Sequence, residues 1–332
     1  MAGYLMVPIN SNGVVVDLNI AENAKTAMDA SLDLNDIFLY SHGWSTDADG
    51  AMTLYNRFSI EFMRWLARNP RAGTHPHGAL SVGIHWPSEL TEEGGIVPKA
   101  FADILGAVQP LTFYTMEKRA DTTGTHGVYA VLRQLIQNYV PRAATGGEAP
   151  PALRIHLIGH SFGCKVVTAA VEAVYEDIAS GTMLPPAGLS FNVVLIQAAF
   201  ENKQLDVAKC YGDLEKLNLR MLVTTSQKDT ALTKAFPMAH RLVDFFNLDP
   251  APALGAAGPT PATKNAFGGA DDINVGPNFS VTASANCTKR LVVADLTDLH
   301  AAHTESDSQW GGHHSGFSHD EVYALVAGFL RL

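Results

Sequence analysis

The stretch Arg154-Ile155-His156-Leu157-Ile158-Gly159-His160-Ser161-Phe162-Gly163-Cys164-Lys165-Val166-Val167-Thr168 decides how the chain is read. Its first part, Arg154–Gly159, is a short apolar, β-branched run of the kind that makes a buried strand. From Val166 to Ile178 the apolar residues recur at helical spacing. Between the two lies Gly159-His160-Ser161-Phe162-Gly163. Gly-x-Ser-x-Gly alone is short enough to arise by chance, but a strand before it and a helix after it make it specific. A serine there occupies a strained turn. The residues two before and two after must be small if strand and helix are to approach each other. The helix N-terminus beneath the hydroxyl favours developing negative charge. The bland alternative is a glycine-rich turn holding an incidental serine; the flanking elements weigh against it. Ser161 is the candidate nucleophile.

Working outward, short apolar runs alternate with helical-period segments. Tyr4–Ile9 and Val14–Leu18 flank Asn12-Gly13, a hairpin signal. Ile37–Ser41 reads as a buried strand, followed by a helix over Ala51–Arg68 with Asp47 or Asp49 as N-cap. Leu80–Trp86 is a strand, Val128–Tyr139 a helix ended by Pro141, and Ala143–Pro151 a loop. Beyond the serine, Phe191–Ala199, Arg220–Thr225 and Arg290–Asp295 read as strands. Helices are expected near Leu205–Leu217, over Leu232–Phe246 and over Asp320–Leu330. Such alternation implies an α/β fold, a mostly parallel sheet with helices on both faces. One domain over 1–332 is expected. Residues 88–112 and 249–286 read as irregular insertions, candidates for a lid or a pocket wall, with a disordered surface loop the alternative for 249–286.

A nucleophilic serine needs partners. An oxyanion hole requires two backbone N–H groups aimed at one point. One is expected from Phe162. The other is expected from Trp44, in the loop Ser41-His42-Gly43-Trp44 that follows an early strand; a simple glycine turn is the alternative. The acid should follow a later strand. Asp229 stands after Arg220–Thr225, at the strand end where such folds gather functional groups. Its bland reading is a helix cap, and Glu201 and Asp206 are the reserve candidates. Residues 300–319 carry His300, His303, His313, His314 and His319. Loop geometry favours His314, some residues ahead of the last helix, with His319 and His313 as alternatives. The chain order Ser–Asp–His is the one that such strand–turn–helix serine enzymes use.

These residues together resemble the α/β-hydrolase superfamily over most of the chain. More narrowly, they resemble an uncharacterised branch of its serine hydrolases. The matching features are His42-Gly43-Trp44, Trp86-Pro87-Ser88, Tyr114 with Glu117-Lys118-Arg119-Ala120, and Ser226-x-x-Asp229-x-Ala231-Leu232. Gly312-His313-His314-Ser315 is similar to that branch's Gly-His-Ser and again selects His314. The resemblance implies an esterase- or lipase-like fold and a Ser161–Asp229–His314 triad, with no cofactor. The histidine-rich stretch and 249–286 depart from the pattern. A small acyl ester is the default substrate. An acyltransferase, an amidase, a peptidase or a catalytically inert binding protein on the same scaffold are the alternatives. Trp44, Trp86, Phe101, Leu111, Phe113 and Tyr114 could line an acyl pocket, or simply pack.

Composition sets the bounds. The chain has 332 residues, 47% apolar and 17% charged, so a large core is available. A net charge of -10 with no basic stripe speaks against nucleic acid. Three cysteines are no disulfide framework. Met1–Asn10 lacks the marks of a secretory leader, and no apolar run reaches the roughly 18 residues of a membrane span, so a cytoplasmic protein is expected. His300, His303, Asp307, His313 and His314 lack the paired spacing of a zinc site. Cys164 reads as a small buried side chain on the first helical turn. Nothing in the sequence bears on oligomeric state.

Overall fold

The structure, a computed structural model, describes residues 2–16, 26, 35–43, 53, 58, 60–62, 64, 65, 68, 69, 79–88, 108–139, 152–243, 251–303, 313, 314 and 318–331. Trp44, Phe101, Asp307, the expected loop Ala143–Pro151 and most of the expected insertion 88–112 lie outside them. So does much of the expected helix Ala51–Arg68, although residues 58, 60–62, 64, 65 and 68 are helical.

Among the described residues, eight strands form one sheet: β1 (Ala2–Pro8), β2 (Asp36–Ser41), β3 (Ala79–His85), β4 (Arg154–His160), β5 (Ser190–Ile196), β6 (Leu219–Thr225), β7 (Ala270–Asn274) and β8 (Leu291–Asp295). They lie in the order β1-β3-β2-β4-β5-β6-β8-β7, and every pair between them is parallel. The helices are α1 (Val108–Thr122), α2 (Tyr129–Asn138), α3 (Phe162–Ala179), α4 (Phe236–Val243), α5 (Leu254–Ala257), α6 (Pro261–Ala266), α7 (Val281–Ala285), α8 (Thr297–Ala302) and α9 (Asp320–Leu330). A π-helical turn over Thr123–Val128 joins α1 to α2. Among the described residues no helix is long and apolar enough to cross a membrane.

Successive strand residues point to opposite faces, so each strand supplies two cores. Ile37, Leu39, Ile155, Leu157, Val193 and Leu195 pack with α2 and α3 on one face. Phe38, Tyr40, Ile158, Val194 and Ile196 pack on the other with α9 and with Phe58, Phe62 and Trp65. This is why the sheet strands read as unbroken apolar runs rather than alternating ones. The helical residues after β2 thus cover one face, while α3 after β4 covers the opposite one. The connections from two adjacent strands part at that point. The carboxyl ends of β2 and β4 are thus a topological switch point, the place at which open α/β sheets hold ligands.

Three expectations are corrected. Residues 108–112 belong to α1 rather than to an irregular insertion. The helix expected near Leu205–Leu217 is two short 3₁₀ turns, Asn202–Leu205 and Leu214–Lys216. Ala208 takes a left-handed φ of 64° between them, which breaks the helical path. Residues 249–286 fold into α5, α6, β7 and α7 wherever they are described, so neither irregular insertion nor disordered loop fits them. Thr260 caps α6, its hydroxyl accepting from the Thr263 N–H, with Pro261 in the first turn. The small residues of α5 serve close packing: the Gly255 N–H donates to the Ala198 carbonyl at 2.9 Å and the Ser226 N–H to the Gly255 carbonyl at 3.0 Å.

Candidate active site

Ser161 sits between β4 and α3 with φ 55° and ψ -124°, a conformation that L residues rarely adopt. Its N–H donates to the Ile196 carbonyl at 3.0 Å, and its carbonyl accepts from Cys164 at 3.1 Å and Ala199 at 3.2 Å. The backbone around the serine is thereby fixed from the tips of two strands. The helix turn beneath it can form only because position 163 has no side chain: a Cβ there would lie 2.2 Å from the Ser41 carbonyl oxygen. Cys164 is buried, with its Sγ–H shared between the Gly159 and Ile196 carbonyls at 3.1 and 3.3 Å.

The loop after β2 presses directly on the serine. A Cβ at Gly43 would meet the Ser161 Cβ at 2.7 Å and Oγ at 3.3 Å, so only glycine lets that backbone come so near. His42 holds the loop. Its Nδ1–H donates to the Gly43 carbonyl at 2.7 Å, and its Nε2 accepts from the Trp86 N–H at 3.3 Å. The Trp86 indole N–H returns a bond to the His42 carbonyl at 3.1 Å, and the two rings stack with centroids 5.4 Å apart. Burial pushes His42 down to about 3, so it stays neutral and keeps this tautomer. Trp86 is therefore core and loop support. Phe162 is buried as the first residue of α3. Trp44 lies outside the described residues.

Asp229 follows β6 and is fully buried. Its Oδ1 accepts from the Leu232 N–H at 3.1 Å, and its carbonyl accepts from Thr233, so it does begin the next helical segment. Its Oδ2 accepts from His314 Nδ1 at 2.7 Å. Cap and histidine partner are one residue. With Nδ1–H committed to the carboxylate, Nε2 of the neutral ring is left as the acceptor. The His160 ring, next in chain to Ser161, lies 5.0 Å from the His314 ring, and its Nε2–H donates to the His314 carbonyl at 2.6 Å. Burial, then the nearby His314, hold His160 below the usual histidine range. The Ser161 hydroxyl makes no hydrogen bond to His314 among the described residues, and such bonds are often long before substrate binds.

The other histidines are occupied elsewhere. His313 stacks on His300 at 5.5 Å, and His300 Nδ1 bonds Ser226 Oγ at 2.8 Å. His319 precedes α9 and stacks on His303 at 4.1 Å. Among the described residues no group of three His, Cys, Asp or Glu is arranged to hold a metal ion. The reserve acids have other partners: Glu201 faces His240 at 3.6 Å, and Asp206 accepts from Thr263 Oγ1 at 2.7 Å.

Two residues at the site escaped sequence reasoning. His160 lies inside the serine motif but at a variable position of it. Gln197 falls within the expected strand Phe191–Ala199, where a strand reading marks no role for it. Its Nε2 donates to Asp229 Oδ2 and to the His313 carbonyl, both at 2.8 Å. A polar residue ending a run of four apolar ones, Val193–Ile196, is the available signal. No protein-family model matches the chain, and no curated protein matches it.

Proposed function

We propose that this chain is a serine hydrolase of the α/β-hydrolase type, acting on carboxylic esters through an acyl-enzyme on Ser161. One observation carries the reading. Asp229 and His314, 85 residues apart, meet at 2.7 Å at the strand ends where Ser161 stands in a strained turn. In this reading His314 Nε2 takes the serine proton as Oγ attacks the acyl carbon, and Asp229 orients the ring and stabilises its charged form. The N–H groups of Phe162 and Trp44 receive the oxyanion, each donor worth about 2.7–4 kcal/mol in sites of this kind. The ring then gives the proton to the leaving alcohol, and water releases the acyl group by the same steps in reverse.

The test is labelling with a fluorophosphonate probe, wild type against Ser161→Ala, followed by turnover of p-nitrophenyl esters of graded chain length. We expect Ser161-dependent labelling and a fall in kcat of about 10⁶-fold in the variant, whose fold is retained. Labelling or turnover that survives in Ser161→Ala would dismiss the assignment. The missing Ser161–His314 hydrogen bond favours one second reading, an inert binding protein on the same scaffold. Wild type that takes no label and turns over no ester selects it. An acyltransferase, amidase or peptidase shares the machinery and is told apart by adding acceptor alcohols or amide substrates.

A further inference from the structure

We propose that Gln197 is the positioning residue of this site, holding the acid and the histidine-bearing turn in one register; the proposal rests on the hydrolase reading above. Gln197 stands at the carboxyl tip of β5, with no exposed surface and a left-handed φ of 48°. Glycine would adopt that backbone without strain. The chain instead keeps a long amide there and fixes it on every side. The Gln197 N–H donates to the buried Thr224 hydroxyl at 2.9 Å. A Cβ at Gly255 would lie 2.6 Å from the Gln197 carbonyl carbon, so α5 backs the strained peptide directly.

The side-chain NH₂ spends its two donors on Asp229 Oδ2 and the His313 carbonyl. These two acceptors settle the orientation of the amide, because the flipped group would set its oxygen against both. The cost is visible: Gln197 Oε1 is buried with no hydrogen-bond partner. The next carbonyl, that of His314, is taken by His160. Two successive carbonyls of the turn are thus clamped from the tips of β5 and β4. His313 is itself left-handed, at φ 58°, so the turn has a strained geometry to hold. Among the described residues, Gln197 alone hydrogen-bonds both the turn and the carboxylate oxygen that receives His314 Nδ1. Without it, the imbalance falls on the direction of His314 Nε2, where small displacements are costly.

Full-length Gln197→Met keeps the length and removes the donors; Gln197→Glu keeps the shape and exchanges the donors for acceptors. On a p-nitrophenyl ester, with active sites counted by end-point fluorophosphonate labelling, we expect kcat per labelled site to fall about 10²-fold in both. KM should stay within about twofold of wild type, since no bond to substrate is lost. Thr224→Val is the milder companion, expected to move kcat in the same direction by less, and it decides the matter if the position-197 variants do not fold. Variants that melt earlier yet keep wild-type kcat per labelled site give Gln197 a merely structural role and overturn the proposal, while Ser161-dependent labelling leaves the hydrolase reading standing. Wild type that neither labels nor turns over ester ends both.

Discussion

Each end of the sheet carries a buried aspartate facing a histidine. At the amino end, Asp36 opens β2 and its Oδ1 accepts from His156 Nε2 at 2.9 Å. At the carboxyl end, Asp229 Oδ2 accepts from His314 Nδ1 at 2.7 Å. Distance does not separate the pairs; their surroundings do. Asp36 also receives the Arg154 guanidinium at 2.7 Å, so a cation already answers its charge. The other nitrogen of His156 accepts from the Asn192 amide at 3.2 Å, and burial holds the ring below the usual histidine range. Every lone pair and proton of that ring is used, and its side chain has 0% exposure. Among the described residues, Asp229 receives only neutral donors besides the histidine, those of Gln197 and Leu232. His314 keeps 17% exposure, and among the described residues its Nε2 has no hydrogen-bond partner. A carboxylate without a resident cation can stabilise an imidazolium formed in passing, and a ring with one open nitrogen can accept a proton. One pair closes the fold; the other is the one that the proposed hydrolase would use.

The sharpest way to break this contrast is to neutralise each aspartate in turn. Asp229→Asn should lower kcat by about 10⁴-fold with a small change in stability. Asp36→Asn should do the reverse, costing about 3–5 kcal/mol in urea unfolding by leaving Arg154 without its counter-charge and the buried His156 Nε2–H without its carboxylate acceptor, at unchanged kcat per folded molecule. Similar effects of the two substitutions on turnover would end the distinction.

Acid should then act on both ends over different ranges. Burial pushes His42 down to about 3, whereas an unfolded histidine titrates near 6.5. The unfolded chain therefore takes up a proton that the folded chain declines, and stability falls as pH drops from about 6.5 towards 3, by about 1 kcal/mol per pH unit for such a group. Asp36 differs. Burial raises it, but the bonds from His156 and Arg154 bring it below the ordinary carboxylate value. Its contribution is whole above about pH 4 and is lost as pH falls through the lowered value. Urea midpoints across pH 7 to 3 should fall less steeply than in wild type above pH 4 in His42→Asn, where His160 and His156 still contribute, and below pH 4 in Asp36→Asn, where Glu117 still contributes. A wild-type midpoint that stays level between pH 6.5 and 4 would remove the argument. The smallest effect is expected from Asn192→Leu, about 1 kcal/mol of stability with turnover intact, which denaturant titration can resolve.

How much of this could be read from residues alone depended on how local the cause was. Ile37–Ser41, Arg154–Gly159, Arg220–Thr225 and Arg290–Asp295 are strands within a residue or so of expectation, and Asp320–Leu330 is a helix over the expected bounds. Each is a run whose apolar pattern states its own burial. The stretch 249–286 misled because small residues and prolines usually mark loops. Here they mark backbones packed at van der Waals contact, a fact about neighbours rather than composition. The Leu205–Leu217 segment has helical apolar spacing, and a backward turn at Ala208 overrode it.

The amino acids by themselves determined the strand–turn–helix around Ser161, the spacing of small residues that lets it bend, and the positions along the chain of Asp229 and His314. These follow from steric and periodic constraints that act over a few residues. Only the tertiary structure decided that β2 lies against β4, bringing Gly43 onto the serine, and that Gln197 reaches both Asp229 and the His313 carbonyl. It alone separated two aspartate–histidine pairs of nearly equal length into a sealed one and an open one. The reason is that the charge a carboxylate can lend to a ring depends on which other donors surround it, and those donors come from strands far apart in sequence.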